Sequence, residues 1–401
     1  MMRSFLAPAL LGAAAPVAAL AGGLDRTGQP IDILFEAGNY AELSFARTMP
    51  ALSGEGTGRV APWPLNPAGR IPAGTAYSGV GLDFSTLSAG VKVDVTEQLS
   101  AAILFSQPFG ADIEYTGDSD TTELGGTEAV ADSRHLTAML RWRFDDNWSV
   151  HGGLRIDRGS GEITLSGLAY GIPQAAVPPG APPFAGGFNG YSVELDPRTD
   201  VGWLAGVAYE VPEIALRVAL TYNSPIVHDF DTTEYYLGQK IGESTTEVEL
   251  PRSVNIDFQT GIAEDTLLFG SFRWAEWSEF RIDPELFTRA SPGGLVSLPD
   301  SRTWTLGLGR RVTDDVAAQV SMSWEETDEN DLVSPLAPVN GFFALGLGGS
   351  YDLAENVTLS AGARYTWVGN SRPETGTPDT PRATFDDNSG LTLGVSIGYR
   401  F

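Results

Sequence analysis

The chain contains no cysteine, so neither a disulfide framework nor a thiolate metal site can hold it together. Lysine is nearly missing too, with Lys92 and Lys240 alone in 401 residues. Acids outnumber lysine plus arginine by 51 to 25, a net charge of −26. That excess excludes nucleic acid as a natural partner and rules out simple attraction to anionic surfaces. Beyond the N-terminus no run of about 18 apolar residues occurs, so membrane-spanning helices are excluded. Catalytic signatures are missing as well. There is no G-x-S-x-G, no H-E-x-x-H and no phosphate loop. The three histidines, His135, His151 and His228, form no recognisable Ser/His/acid arrangement. No catalytic residue, metal site or cofactor is therefore expected, and an enzyme is the least supported reading.

What is present begins with a processing signal. Arg3 supplies a positive start, Phe5 to Leu20 an apolar Ala-rich stretch, and Ala19-Leu20-Ala21 a small-x-small cleavage site. Residues 1–21 read as a signal peptide for export, with the mature protein beginning near Gly22.

The most informative stretch is at the other end. Leu391, Leu393, Val395, Ile397, Tyr399 and Phe401 alternate with Thr392, Gly394, Ser396, Gly398 and Arg400. Strand side chains alternate faces, so one face is wholly apolar and the other small or polar. A wall strand of a membrane barrel needs that division, because it meets lipid outside and water inside. The same alternation recurs behind the signal. Leu136, Leu140, Trp142 and Phe144 oppose Thr137, Met139, Arg141 and Arg143; Val316, Val320, Met322 and Trp324 oppose Gln319, Ser321 and Ser323. Such strands meet in pairs at short acidic turns centred near residues 97, 146, 212, 264, 314 and 355. Six hairpins, an opening strand near Asn39–Thr48 and the closing strand make about fourteen strands. The fold class is all-β, a transmembrane antiparallel barrel with short periplasmic turns and long extracellular loops. The long loops are expected near 49–76, 108–131, 166–192, 224–246, 275–301, 325–340 and 369–388.

A charge on the lipid face near the midplane costs roughly 2–4 kcal/mol. Arg141, Arg143, Arg155, Arg217, Arg273 and Arg364 should therefore face the lumen. Trp142, Trp148, Trp203, Trp274, Trp304, Trp324 and Trp367 lie near strand ends, where interfacial girdles belong; the alternative is core tryptophans of a soluble barrel. Acidic outer loops would tolerate a lipopolysaccharide layer bridged by divalent cations.

Several stretches carry a family resemblance. One is Leu220-Thr-Tyr-Asn-Ser-Pro-Ile-Val-His-Asp-Phe230; another runs from Leu250-Pro251 through Trp274 to Trp277, Ser278 and Phe280. Strand-turn-strand segments at Asp300–Trp324 and Phe342–Val368 add to it. The chain resembles the FadL/TodX family of outer-membrane transporters for long-chain fatty acids and other hydrophobic compounds. The resemblance implies a fourteen-stranded barrel, an N-terminal hatch in the lumen, a hydrophobic groove on the outer loops and a kinked third strand opening sideways to the bilayer. The N-terminus departs from that pattern. Phe35 to Leu43 reads as the first strand, leaving residues 22–34 as a short plug remnant before a barrel over 35–401. Asn66-Pro67-Ala68, which family members carry before the first strand, here lies after it.

Three groups of residues are candidate sites. The Pro-rich segment Leu168–Tyr191 places Ile172, Val177, Phe184 and Phe188 beside five prolines, which suits capture of a greasy ligand or a loop packed across the barrel mouth. Pro108, Phe109 and Gly110 interrupt the third strand, either as the lateral opening or as an ordinary strand end. Arg141, Arg143 and Arg155 lie on adjacent strands, where they could hold a ligand carboxylate or pair with lumen acids such as Glu42, Asp94, Asp157 and Asp257. Tyr399 and Phe401 are the expected assembly signal for the barrel-assembly machinery. Passive transport of fatty acids or other hydrophobic molecules is the expected function. The competing reading is a general diffusion porin or a structural outer-membrane barrel.

Overall fold

The computed structural model describes residues 24–328, 330–376 and 378–401; the expected signal peptide lies outside them. Seventeen strand segments form one sheet, three of them continuations of a neighbouring segment, and they make fourteen wall strands. The first seven are β1 (Tyr40–Ala51), β2 (Phe84–Asp94), β3 (Leu99–Ser106, resuming as Gly110–Glu114), β4 (Glu128–Arg143), β5 (Trp148–Leu165), β6 (Tyr191–Val211) and β7 (Leu216–Asn223 and Ile226–Tyr236). The rest are β8 (Gln239–Leu250 and Ser253–Ala263), β9 (Thr266–Ala275), β10 (Ser301–Arg311), β11 (Val316–Glu325), β12 (Phe342–Ala354), β13 (Val357–Val368) and β14 (Ser389–Arg400). Each pairs antiparallel with its sequence neighbours, and β1 pairs with β14 from Tyr40–Arg400 to Ala51–Ser389. The ring closes, so the sheet has no free edge to satisfy in lipid.

The alternation decides which way each strand faces. Along β14, Leu393, Val395 and Ile397 are exposed while Thr392 and Ser396 are buried in the lumen. Trp142, Trp148, Trp203, Trp304, Trp324 and Trp367 are exposed on the outer face, as girdle residues rather than core ones. Arg141, Arg155, Arg217 and Arg273 are buried inward.

Two expectations need correction. The first strand starts at Tyr40, in line with the opening strand expected near Asn39–Thr48 and not at Phe35. Residues Asp32–Phe35 form a 3-10 turn, and the chain from Leu24 to Asn39 lies in the lumen. Lys92 Nζ holds its end by donating to the carbonyls of Glu36 and Gly38 at 3.0 and 2.8 Å. The segment 224–246 is not a loop but most of a hairpin that extends β7 and β8, with β7 paired to β6 out to Tyr236–Tyr191. Leu237 and Gly238 turn it, both with positive φ (49° and 72°), the backbone that matches strand twist in a two-residue turn.

Candidate functional site: an apolar pocket against a broken wall

The N-terminal segment is fastened by the lumen arginines. Arg273 Nε donates to Asp25 Oδ2 at 2.7 Å, and its other nitrogens reach Ser253, Asn255 and Gln29. Arg217 donates to Asp32 at 3.0 Å, and Arg26 pairs with Asp112 of β3. Phe35 is sandwiched between the guanidiniums of Arg141 and Arg217, 4.6 and 4.5 Å from its ring centre, a cation–π arrangement in a desolvated place. Of the four acids expected to answer the arginines, Asp257 lies in the field of Arg217 and Arg273, and the other three do other work. Asp94 binds Lys92, Glu42 accepts from Tyr40 and Ser44, and Asp157 is surrounded by histidines.

The wall is interrupted where the segment touches it. β3 pairs with β4 up to Ser106–His135 and resumes at Gly110–Asp132, so three residues face two. On its other side, pairing with β2 stops at Ala89–Phe105 and returns only as the single bridge Gly81–Ile113. Pro108 removes a ladder donor, and its carbonyl turns inward to accept from Arg26 N at 2.7 Å. Gly110 N donates to the carbonyl of Leu24 at 3.0 Å. A side chain at Gly110 would meet the Arg26 guanidinium and displace it from its place beside Asp112. Across the gap, Leu87 N donates to Gln107 Oε1 at 2.8 Å.

Behind the break lies a cavity of about 90 Å³. Leu24, Phe109, Ala129, Ile163, Phe230 and Trp277 are among its walls. Phe109 stands edge-on to Trp277 at 5.4 Å and to His135 at 5.7 Å. Outward of it is a groove of about 980 Å³ between the loops, bordered by Arg59, Arg70, Tyr170, Phe188, Phe287 and Arg382. Val296 and Leu336 line both spaces. The groove's loops are stapled from within. Buried Glu123 accepts from Gly58 N at 2.7 Å and Tyr77 Oη at 2.9 Å, and burial pushes the Tyr77 phenol up.

The expected ligand residues separate. Phe188 reaches the outer groove and packs 4.6 Å from Phe287. Phe184 lies against Phe188, Tyr191 and Tyr236. Ile172 and Val177 close over Gly186 of their own loop. None of Arg141, Arg143 and Arg155 lines the inner cavity. Arg141 donates to Ser149 and pairs with Glu210, Arg143 donates to the Glu97 carbonyl near the periplasmic turn, and Arg155 donates to the Ser224 carbonyl at 2.6 Å.

A polar cluster that sequence reasoning missed borders the inner cavity. Fully buried Asp157 accepts from Ser133 Oγ at 2.7 Å and lies 3.1 Å from His135 Nε2 and 2.8 Å from His228 Nε2. His228 Nδ1 is 2.8 Å from Asp200. Carboxylates only accept, so this geometry suits a doubly protonated His228 ring. His151 stays apart, bound to Thr221 at 2.9 Å. One signal was available. His135 and Asp157 each lie eleven residues from Asp146, the centre of the turn, and are a direct cross-strand pair.

The sequence matches the family described as outer membrane protein transport protein (OMPP1/FadL/TodX) over residues 86–401, well beyond half of the chain. The chain belongs to this family. Among solved structures, a Pseudomonas aeruginosa FadL homologue is similar with a TM-score of 0.66 and 15% identity, covering 93% of this chain and 92% of that one. The Pseudomonas putida toluene transporter TodX is similar with a TM-score of 0.59 and 12% identity, covering 91% and 90%. At such identities the likeness concerns the fold. No curated protein sequence matches. This FadL/TodX member is thus an outer-membrane β-barrel transport protein.

Proposed function

We propose that the protein carries hydrophobic molecules passively from the outer groove through the inner cavity and out sideways, between β2 and β3, into the bilayer. The observation that carries this reading is that the apolar cavity ends on Phe109, within the stretch 107–109 where β3 pairs with neither β2 nor β4. A greasy solute leaving there passes from one apolar medium to another and never crosses the polar lumen. Ile172, Val177, Phe184 and Phe188 shape the loops that form the capture surface. Residues 24–39 act as the plug, its shortness offset by the Arg273, Arg217 and Arg26 contacts. An open porin is less well supported, because the plug's buried Leu34 and its Phe35, held between two arginines, obstruct the lumen. In the same reading a cleaved signal over 1–21 directs export, Tyr399 and Phe401 present the assembly signal, and the acidic loops face lipopolysaccharide.

The absence of native cysteine makes a clean test possible. Leu87 and Gln107 stand opposite one another across the gap. Leu87→Cys with Gln107→Cys, oxidised, is expected to halt uptake of a hydrophobic probe by cells, and a reductant to restore it. Unchanged uptake through the cross-linked barrel would rule out the lateral route.

A further inference from the structure

We infer that the inner cavity is a charge filter: it accepts uncharged hydrophobic molecules and rejects those that carry a carboxylate, so free fatty-acid anions are not its ligands. This rests on the transport reading and narrows its solute class.

The cavity is bordered by Asp132, Asp157 and His228 and by no lysine or arginine. Nearby guanidiniums are turned elsewhere: Arg26 pairs with Asp112, Arg273 with Asp25, and Arg155 donates to the Ser224 carbonyl with Asp157 as its counter-charge. The histidines supply no spare positive charge. Even with His135 and His228 both protonated, their two charges meet those of Asp157 and Asp200. Asp132 is answered by Arg134, half-exposed on the far side at 2.8 Å. His228, the titratable cation on the cavity wall, has both ring nitrogens taken by Asp157 and Asp200, so it offers a ligand carboxylate no unshared donor. A ligand carboxylate drawn into the cavity would lose its water, find only a His228 ring already shared between Asp157 and Asp200, and face Asp157 across low-dielectric surroundings, where an unpaired buried charge is very costly. An uncharged ring or short chain meets only Phe109, Ile163, Phe230, Trp277 and like side chains. At about 90 Å³ the cavity is smaller than the apolar hole of about 150 Å³ that holds benzene, so it takes a small solute and only with some yielding of its walls. Cations sit instead at the outer groove, where Arg59, Arg70 and Arg382 border the entrance. An anionic head can be tolerated there but not carried inward.

The test is a matched pair of probes on the full-length purified barrel, toluene and benzoate, at neutral pH by isothermal titration calorimetry. Toluene is expected to bind and benzoate to bind at least about 100-fold more weakly, a difference of ~2.8 kcal/mol at 1.4 kcal/mol per tenfold. Equal affinity, or tighter binding of benzoate, would overturn the filter and leave the transport reading standing. If neither probe binds, the transport reading fails and takes the filter with it. Ala337→Arg, a loop substitution on the cavity wall, supplies the missing cation and is expected to raise benzoate affinity at least about tenfold. A folded variant with no gain would also count against the filter. The wild-type comparison does not depend on that variant folding.

Discussion

At the residue scale, the lumen runs on buried charges that are paired with little to spare. Arg273 joins wall to plug through Asp25, both nearly inaccessible to water. Breaking such a pair by removing one member leaves an uncompensated charge and costs about 3–5 kcal/mol. Arg273→Ala is therefore expected to release the N-terminal segment, seen as faster hydrogen exchange over residues 24–39 with the barrel strands unchanged. Asp157 is the other critical residue, because it is a buried hydrogen-bond partner of both Ser133 and His228, with His135 3.1 Å away. In Asp157→Asn the amide nitrogen cannot accept, so at least one buried partner is stranded, at about 1–3 kcal/mol. Urea unfolding should show that loss. Neither role was legible from composition. The alternation marks Arg273 and Asp157 as inward-facing, but a strand pattern does not say what fills the lumen opposite them.

At the scale of elements, proline decides where the wall is weak. Pro108 spoils β3, and a second pair spoils the seam between β6 and β7. Pairing there stops at Leu204–Asn223 and resumes at Leu195–Thr232 in the same register, with Pro197 on one strand and Pro225 on the other. Neither can donate to the ladder, and the Asp200–His228 contact bridges the seam in its place. The β3 break was readable from Ser106-Gln107-Pro108-Phe109-Gly110. The hairpin over 224–246 was misread as a loop, because its polar, Thr- and Glu-rich strands stand beyond the lipid belt, where the outer face no longer needs to be apolar. The first strand was placed too early for the opposite reason. Phe35 is an aromatic in an alternating stretch, yet it turns into the lumen to lie between two arginines. β14 behaves as its sequence implies. Its final turnless end exposes Tyr399 and Phe401, stacked 5.9 Å apart on the outer face. Removing Phe401 is expected to slow insertion into the outer membrane, measured as unfolded precursor accumulating in whole cells. Normal assembly would detach the aromatic end from that role.

At the scale of the whole molecule, the closed ring keeps every wall strand's polar backbone out of contact with lipid while its outer face stays apolar. A charge set into that face tests the membrane assignment. Val395→Arg, on β14 between Leu393 and Ile397, is expected to cost about 2–4 kcal/mol if it lies near the midplane. The loss is read from the unfolding free energy in lipid vesicles, and the inward-facing Ser396→Arg serves as a contrast that avoids the lipid.

The sequence by itself determined the barrel, its strand number, the inward and outward faces and six of its turns. These follow from a period of two and from local turn chemistry, which are properties of neighbouring residues. Only the tertiary structure decided which acids meet which arginines, that His228 reaches Asp157 across the β6–β7 seam, and that Leu24 and Phe109 share one cavity. Those pairs are far apart in the chain, and what joins them is the curvature of the closed ring, which no local pattern records.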